Sequence, residues 1–160
     1  MIKYNNGYWK DKKIAVLGAG STGISVSKLA IFIGAKVLLS DSKTNISNKI
    51  TSNIEFEFGG HSDRILECDL IIKSPGIPND IPIILKANKS NIRIVSEIEF
   101  SSWFSNLPII GLTGSNGKTT TVNLLNKIFR DAGFKSILGG NMGVPFSENV
   151  MKELLNPKEI

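Results

Sequence analysis

Apolar and polar residues follow a repeating order along this chain. A short apolar run, Lys13–Leu17, ends on Gly18, and Ser21–Ile33 then carries apolar residues at helical spacing. Lys36–Ser40 is a second apolar run that closes on Asp41. Strands buried inside a parallel sheet read as continuous apolar runs, whereas a helix laid on the sheet shows a 3.6-residue period. The order therefore predicts strand, glycine turn, helix and strand, a βαβ unit of about 30 residues.

The same alternation continues. Ile54–Phe58 is a third predicted strand, and Gly59-Gly60-His61-Ser62 reads as a turn that opens a short helix. Asp69–Lys73 is another buried strand, broken by Ser74-Pro75-Gly76-Ile77-Pro78. A short helix over Ile83–Asn88 and a strand over Ile92–Val95 lead into Glu97–Phe104. Strands alternating with helices predict an α/β fold with a parallel sheet covered on both faces. Ser105-Asn106-Leu107-Pro108 is the candidate linker, which divides the chain into units 1–107 and 108–160. Beyond it the pattern predicts a strand at Ile109–Leu112, a helix at Thr119–Ala132, a strand at Lys135–Leu138 and a helix at Phe146–Leu155. No internal repeat and no low-complexity tract is present.

Composition narrows the class. A hydrophobic share of 41% beside 21% charged residues belongs to a globular chain and excludes a disordered one. No apolar run approaches the roughly 20 residues of a spanning helix, and Met1–Lys13 has no apolar signal core, so a cytoplasmic location without membrane insertion is expected. The net charge of +5 is spread along the chain without basic–aromatic clusters, which argues against nucleic acid and is compatible with polyanionic small ligands. Cys68 is the only cysteine, so no internal disulfide forms, and its expected role is a small apolar residue at a strand edge.

Two glycine turns carry the candidate chemistry. Gly18-Ala19-Gly20-Ser21-Thr22-Gly23 fits G-x-G-x-x-G between a strand and a helix. Such a turn brings backbone close to a diphosphate and aims helix N–H groups at it, and Asp41 stands where an acidic residue meets a ribose. Three readings stay open for it: a nicotinamide or flavin dinucleotide, another nucleotide, or helix–strand packing alone. The second turn, Thr113-Gly114-Ser115-Asn116-Gly117-Lys118-Thr119-Thr120, is sharper. Its backbone N–H groups would wrap ATP phosphates, Lys118 would reach the β and γ oxygens, and the Thr119 hydroxyl would hold Mg²⁺. It departs from the strict G-x-x-x-x-G-K-[ST] form in having Leu112 where that form has glycine. Phosphoryl transfer is favoured over hydride transfer, because only the second turn suits a triphosphate.

The segment Gly114-Ser115-Asn116-Gly117-Lys118-Thr119-Thr120 resembles the phosphate loop of the Mur ligase family. The remaining pieces stand in that family's order: Gly18–Gly23, Ser74-Pro75-Gly76-Ile77-Pro78, Glu97-Ile98-Glu99 and Gly139-Gly140-Asn141-Met142-Gly143-Val144-Pro145. The serine-proline-glycine turn and the G-G-N-x-G-x-P segment resemble the members that add D-glutamate to UDP-N-acetylmuramoyl-L-alanine. The resemblance implies a Rossmann-like domain for the UDP-sugar followed by the start of a P-loop ATPase-type domain. It implies that Ser21 and Thr22 contact the diphosphate, that Asp41, Ser42 and Lys43 frame uracil and ribose, and that Gly76 and Asn141 contact the substrate. Lys43 stands where some members have arginine. Gly114, Ser115, Asn116, Gly117, Lys118, Thr119 and Thr120 are implied to bind ATP, with Lys118 catalytic and Thr119 on the metal. The implied reaction runs through an acyl phosphate of the L-alanyl carboxylate, which the amine of D-glutamate attacks, in a monomeric enzyme. Another Mur ligase activity and a non-catalytic UDP-sugar-binding module are the alternatives.

Other polar residues have plainer expected roles. His61 is expected to be a turn or cap residue, Glu97 and Glu99 a solvated face, and Trp103 and Phe104 packing at the junction of the two units. Ser74 is expected to serve the turn and not to act as a nucleophile. Too little chain follows Thr119 for the further strands and acidic metal ligand of a P-loop domain, so the 160 residues alone are expected to be incompetent for ligation. Ile109–Leu112 is expected to lack sheet neighbours and to leave an apolar surface exposed.

Overall fold

The computed structural model describes residues 7–44, 53–140 and 143–156. Five parallel strands form one sheet: β1 Lys13–Leu17, β2 Lys36–Asp41, β3 Ile54–Phe58, β4 Leu70–Lys73 and β5 Arg93–Val95. Their order across the sheet is β3-β2-β1-β4-β5. The chain first winds outward from β1 through β2 to β3, then crosses to β4 and winds the other way. The reversal lies between β1 and β4, the position at which open α/β sheets bind ligands beyond their strand ends.

The apolar runs follow from burial on both faces. Ile14 and Val16 of β1 join one core with Val37, Leu39 and Leu70, covered by helix α1, Ser21–Phe32. Ala15 and Leu17 point to the opposite core with Leu38 and Ile71, covered by helix α2, Pro82–Lys89, through Ile83, Ile84 and Ala87. Cys68 is buried in that second core, and burial pushes its thiol up to about 11, so it packs as a small apolar group. A short 3-10 helix, Asp63–Glu67, follows Ser62, whose hydroxyl accepts from the Arg64 N–H. Helix α3, Glu97–Ser102, is capped by the Ser96 side chain. Beside it Trp103 stacks on Trp9 with ring centroids 5.9 Å apart, and Phe104 is buried against Phe100, so both residues pack as expected.

Beyond Ser105 two expectations fail. Helix α4, Lys118–Asp131, forms, but neither Ile109–Leu112 nor Lys135–Leu138 is a strand. A strand exists only through pairing with a neighbouring strand, and among the described residues no strand pairs with either segment. The exposure expected of Ile109–Leu112 is observed: Ile109 is 49% and Ile110 59% exposed. These segments, with Val122, Leu125 and Phe129 of α4, line an apolar cavity of about 420 Å³.

Helix α5, Phe146–Leu155, lies far along the chain yet packs on α1 and α3, and its Val150 enters the first core. Two buried carboxylates hold it there. Glu97 accepts the Ser147 N–H at 2.5 Å, and Ser147 Oγ meets Ser25 Oγ at 2.8 Å. Glu153 in turn accepts from Ser105 Oγ at 2.8 Å and from the Asn106 N–H at 2.7 Å. The solvated face expected for Glu97 is therefore wrong: this side chain is buried beneath α5, while Glu99 is exposed and paired with Arg93. Replacing Glu97 with alanine strands a buried N–H, which costs about 1–3 kcal/mol. Urea unfolding of Glu97→Ala should show that loss, and Glu97→Gln, which keeps an acceptor oxygen, should recover part of it.

Candidate functional site

Three turns meet at the C-terminal ends of β1, β2 and β4. The Gly18 N–H donates to Ser40 O at 2.8 Å, and the Ser74 N–H donates to Leu17 O at 3.0 Å. A β-carbon on Gly18, whose φ is +96°, would lie 2.6 Å from Ser74 Oγ. The glycine turn and the serine-proline-glycine turn are thus pressed together at the topological reversal. A β-carbon on Gly23 would lie 1.8 Å from the Gly18 carbonyl oxygen, so α1 approaches the end of β1 as closely as backbone allows.

This approach sets up the N-terminus of α1. Gly20 precedes the helix without any side-chain cap, and no acidic residue occupies the first turn. The free N–H groups and the positive end of the helix dipole give this end of α1 the character that suits an anion. Ser21 is exposed at its mouth and Thr22 is half-buried. Asp41 ends β2 and ties it to the turn: Oδ2 accepts the Ala19 N–H at 2.6 Å and Oδ1 accepts the Lys43 N–H at 2.9 Å. Partial burial works to raise the Asp41 carboxyl, but the Ala19 and Lys43 N–H groups and the Lys43 and His61 charges outweigh it and hold it below its ordinary value. Ser42 and Lys43 follow, both exposed, and Gly76 is exposed with open space beside it. Ser21, Thr22, Asp41, Ser42, Lys43 and Gly76 therefore share one edge of the sheet. Asn141 lies outside the described residues.

Sequence reasoning missed the polar network beneath this edge. Ser40 is fully buried, and its Oγ lies 3.0 Å from Glu57 Oε1, 3.1 Å from Gly60 O and 2.7 Å from His61 Nδ1. Glu57 also accepts from the Ser62 N–H at 2.6 Å and from the Ser62 hydroxyl. Partial burial works to raise Glu57, yet Ser62, Ser40 and Arg64 together hold its carboxyl below the ordinary value. The signal lay in register, since Ser40 and Glu57 face each other across β2 and β3, and no local pattern displays that pairing. His61 sits in the turn, as expected.

The second glycine turn is built separately. Gly117 has φ +75° and precedes α4 directly, a left-handed conformation that favours glycine there. Lys118 folds over the loop, its Nζ donating to Gly114 O and, at 3.3 Å, to Ser115 O. Gly114, Ser115, Asn116, Gly117, Lys118, Thr119 and Thr120 are all exposed. Among the described residues no group of three His, Cys, Asp or Glu side chains is placed to hold a metal. No helix among them is long and apolar enough to cross a membrane.

The two glycines of the first turn should differ sharply on substitution. Gly23→Ala forces a β-carbon into backbone and should cost roughly 3 kcal/mol. Gly20→Ala meets open space and should stay within about 0.5 kcal/mol. Thermal unfolding of the two variants, followed by circular dichroism, measures the contrast.

Residues 12–96, more than half of the 160, match the family described as Mur ligase MurD-like, N-terminal domain. A UDP-N-acetylmuramoylalanine–D-glutamate ligase from Christiangramia forsetii is 44% identical over 149 residues, which cover 89% of this chain and 33% of that relative. Its counterpart from Buchnera aphidicola is 44% identical over 145 residues, again covering 89% and 33%. The chain therefore spans about a third of the length of these relatives. A solved UDP-N-acetylmuramate:L-alanyl-gamma-D-glutamyl-meso-diaminopimelate ligase from Neisseria meningitides superposes with a TM-score of 0.52 at 19% identity. That superposition covers 84% of this chain and 45% of the solved one, and it supports the fold alone. The edge formed by the glycine turn, Asp41 and the serine-proline-glycine turn thus belongs to a member of the MurD-like Mur ligase family.

Proposed function

We propose that this chain supplies the UDP-binding part of a ligase that joins D-glutamate to UDP-N-acetylmuramoyl-L-alanine in peptidoglycan precursor synthesis. The observation that carries this reading is the meeting of three turns at the reversal between β1 and β4. One turn offers uncapped helix N–H groups to a diphosphate, and the segment after β2 offers Asp41, Ser42 and Lys43 to the nucleoside. Gly76 leaves backbone open beside them. The family match and the names of the relatives support a UDP-sugar over a dinucleotide.

In this reading residues 1–107 hold the UDP-sugar, and residues 108–160 begin the ATP-binding unit, with Asn141 turned to the substrate. The γ-phosphoryl group of ATP passes to the L-alanyl carboxylate, and the amine of D-glutamate then displaces phosphate from the acyl phosphate. Gly114 to Thr120 wrap the triphosphate, and the Lys118 ammonium neutralises charge that builds on the transferred group. The exposed Lys118 side chain needs only to leave the Gly114 and Ser115 carbonyls to do so. The Thr119 hydroxyl would hold Mg²⁺ as one oxygen ligand, and the ion would supply further charge neutralisation. The protein acts as a cytoplasmic monomer. The relatives are about three times as long, so amide-bond formation is not expected from the 160 residues by themselves.

Calorimetric titration of the purified chain with UDP-N-acetylmuramoyl-L-alanine, NADH and Mg-ATP in parallel tests this reading. The UDP-sugar should bind, and Lys118→Ala should abolish the Mg-ATP response while leaving UDP-sugar binding within about twofold. Binding of NADH in preference to the UDP-sugar would overturn the proposal.

A further inference from the structure

The hydrogen bonds around Ser40 can be counted proton by proton. A serine hydroxyl has one proton to give and two lone pairs to receive. Ser40 Oγ has three neighbours within hydrogen-bond distance: Glu57 Oε1 at 3.0 Å, Gly60 O at 3.1 Å and His61 Nδ1 at 2.7 Å. The Gly60 carbonyl only accepts, and the Glu57 carboxylate, held ionised by its Ser62 and Ser40 partners, only accepts. Were the Ser40 proton spent on His61, both of those oxygens would face the lone pairs of Oγ with no proton between them. The consistent arrangement has His61 Nδ1–H donating to Ser40 Oγ, and the Ser40 hydroxyl donating to Glu57. Ser40 is fully buried, so water does not relieve the alternative.

That arrangement fixes the imidazole. With Nδ1 carrying the proton, the neutral ring presents Nε2 as a bare acceptor. His61 is half-buried, and its Nε2 makes no hydrogen bond to any described residue. The turn that bears it is fastened to the nucleoside edge, because the Gly59 and Gly60 N–H groups both donate to Asp41 O, at 3.0 and 3.4 Å. The one histidine of the chain is therefore held in a chosen tautomer beside the segment Asp41–Lys43.

We infer that His61 is a further substrate-binding residue, its Nε2 accepting a hydrogen bond from a donor at the nucleoside end of the UDP-sugar, with Ser40 and Glu57 as positioning residues that set its tautomer. The inference rests on the proposed UDP site. A uridine nucleotide offers three such donors, the imide N–H of uracil and the 2′ and 3′ hydroxyls of ribose. The network does no chemistry: Ser40 is buried and its proton is committed to Glu57, so the serine, histidine and glutamate together serve recognition and not nucleophilic attack.

The single histidine makes the test direct. In ¹⁵N-labelled full chain at about pH 8.5, where a histidine ring is ordinarily neutral, long-range ¹H–¹⁵N spectra report which ring nitrogen is protonated. The expected result is protonated Nδ1 and bare Nε2, a shift of Nε2 alone on addition of UDP, and loss of the fixed tautomer in Ser40→Ala. His61→Phe should weaken UDP roughly three- to tenfold, the range of one neutral hydrogen bond. UDP methylated at uracil N3, 2′-deoxy-UDP and 3′-deoxy-UDP separate the three donors, since the analogue lacking the true donor should bind wild type and His61→Phe equally. Protonated Nε2 in the free chain, or an Nε2 unmoved while UDP saturates the protein, would overturn the inference and leave the UDP site intact. Failure of UDP to bind wild type at all would remove both.

Discussion

At one point in this protein two stretches of backbone approach each other with no room for a side chain between them. Gly23, in the first turn of α1, lies against the Gly18 carbonyl with no room for a β-carbon, while Asp41 holds the Ala19 N–H between them. The first contact fixes how deeply the helix sits on the end of β1. The second fixes how the turn leans toward β2. Together they aim the uncapped N-terminus of α1 over the strand ends, and every other candidate contact at that edge is placed relative to it. The negative carboxylate beside a positive helix end also stabilises the turn without a bound anion, and Ala19 is the N–H that it uses.

Much of this was legible in the sequence. The apolar runs located β1, β2 and β4 to within a residue because strands buried on both faces must be continuously apolar, and the glycine spacing located the turn between β1 and α1. What could not be read was non-local. Ile109–Leu112 and Lys135–Leu138 have strand composition, yet composition does not supply a neighbouring strand, and neither joins the sheet. Glu97 looked solvated because its burial comes from Ser147, 50 residues later. Ser40 and Glu57 meet only through the register of β2 on β3. In each failure the deciding neighbour lies on another element.

Helix α5 gives the molecule a second organising feature. It belongs in sequence to the stretch beyond the candidate linker, but its packing partners are α1 and α3. Glu97 secures its first turn, and Glu153 near its end secures Ser105 and Asn106. Glu97 reaches from α3 to the start of α5, and Glu153 reaches from the end of α5 to the segment that leaves α3, so α5 is tied to this part of the chain at both ends. Ser25, one turn beyond Ser21, is part of this contact, which links α5 to the helix whose N-terminus lies at the candidate site. The apolar cavity over α4 contrasts with this closure, since α4 contributes no buried residue to either core.

The account stands on the claim that the reversal between β1 and β4 receives a uridine diphosphate. Backbone amide shifts of the ¹⁵N-labelled chain during titration with UDP measure that most directly. The account predicts shifts centred on Ala19, Ser21, Thr22 and Lys43, with the amides of Gly114–Thr120 unmoved. Shifts confined to the Gly114–Thr120 loop, or none at either site in excess UDP, would contradict it.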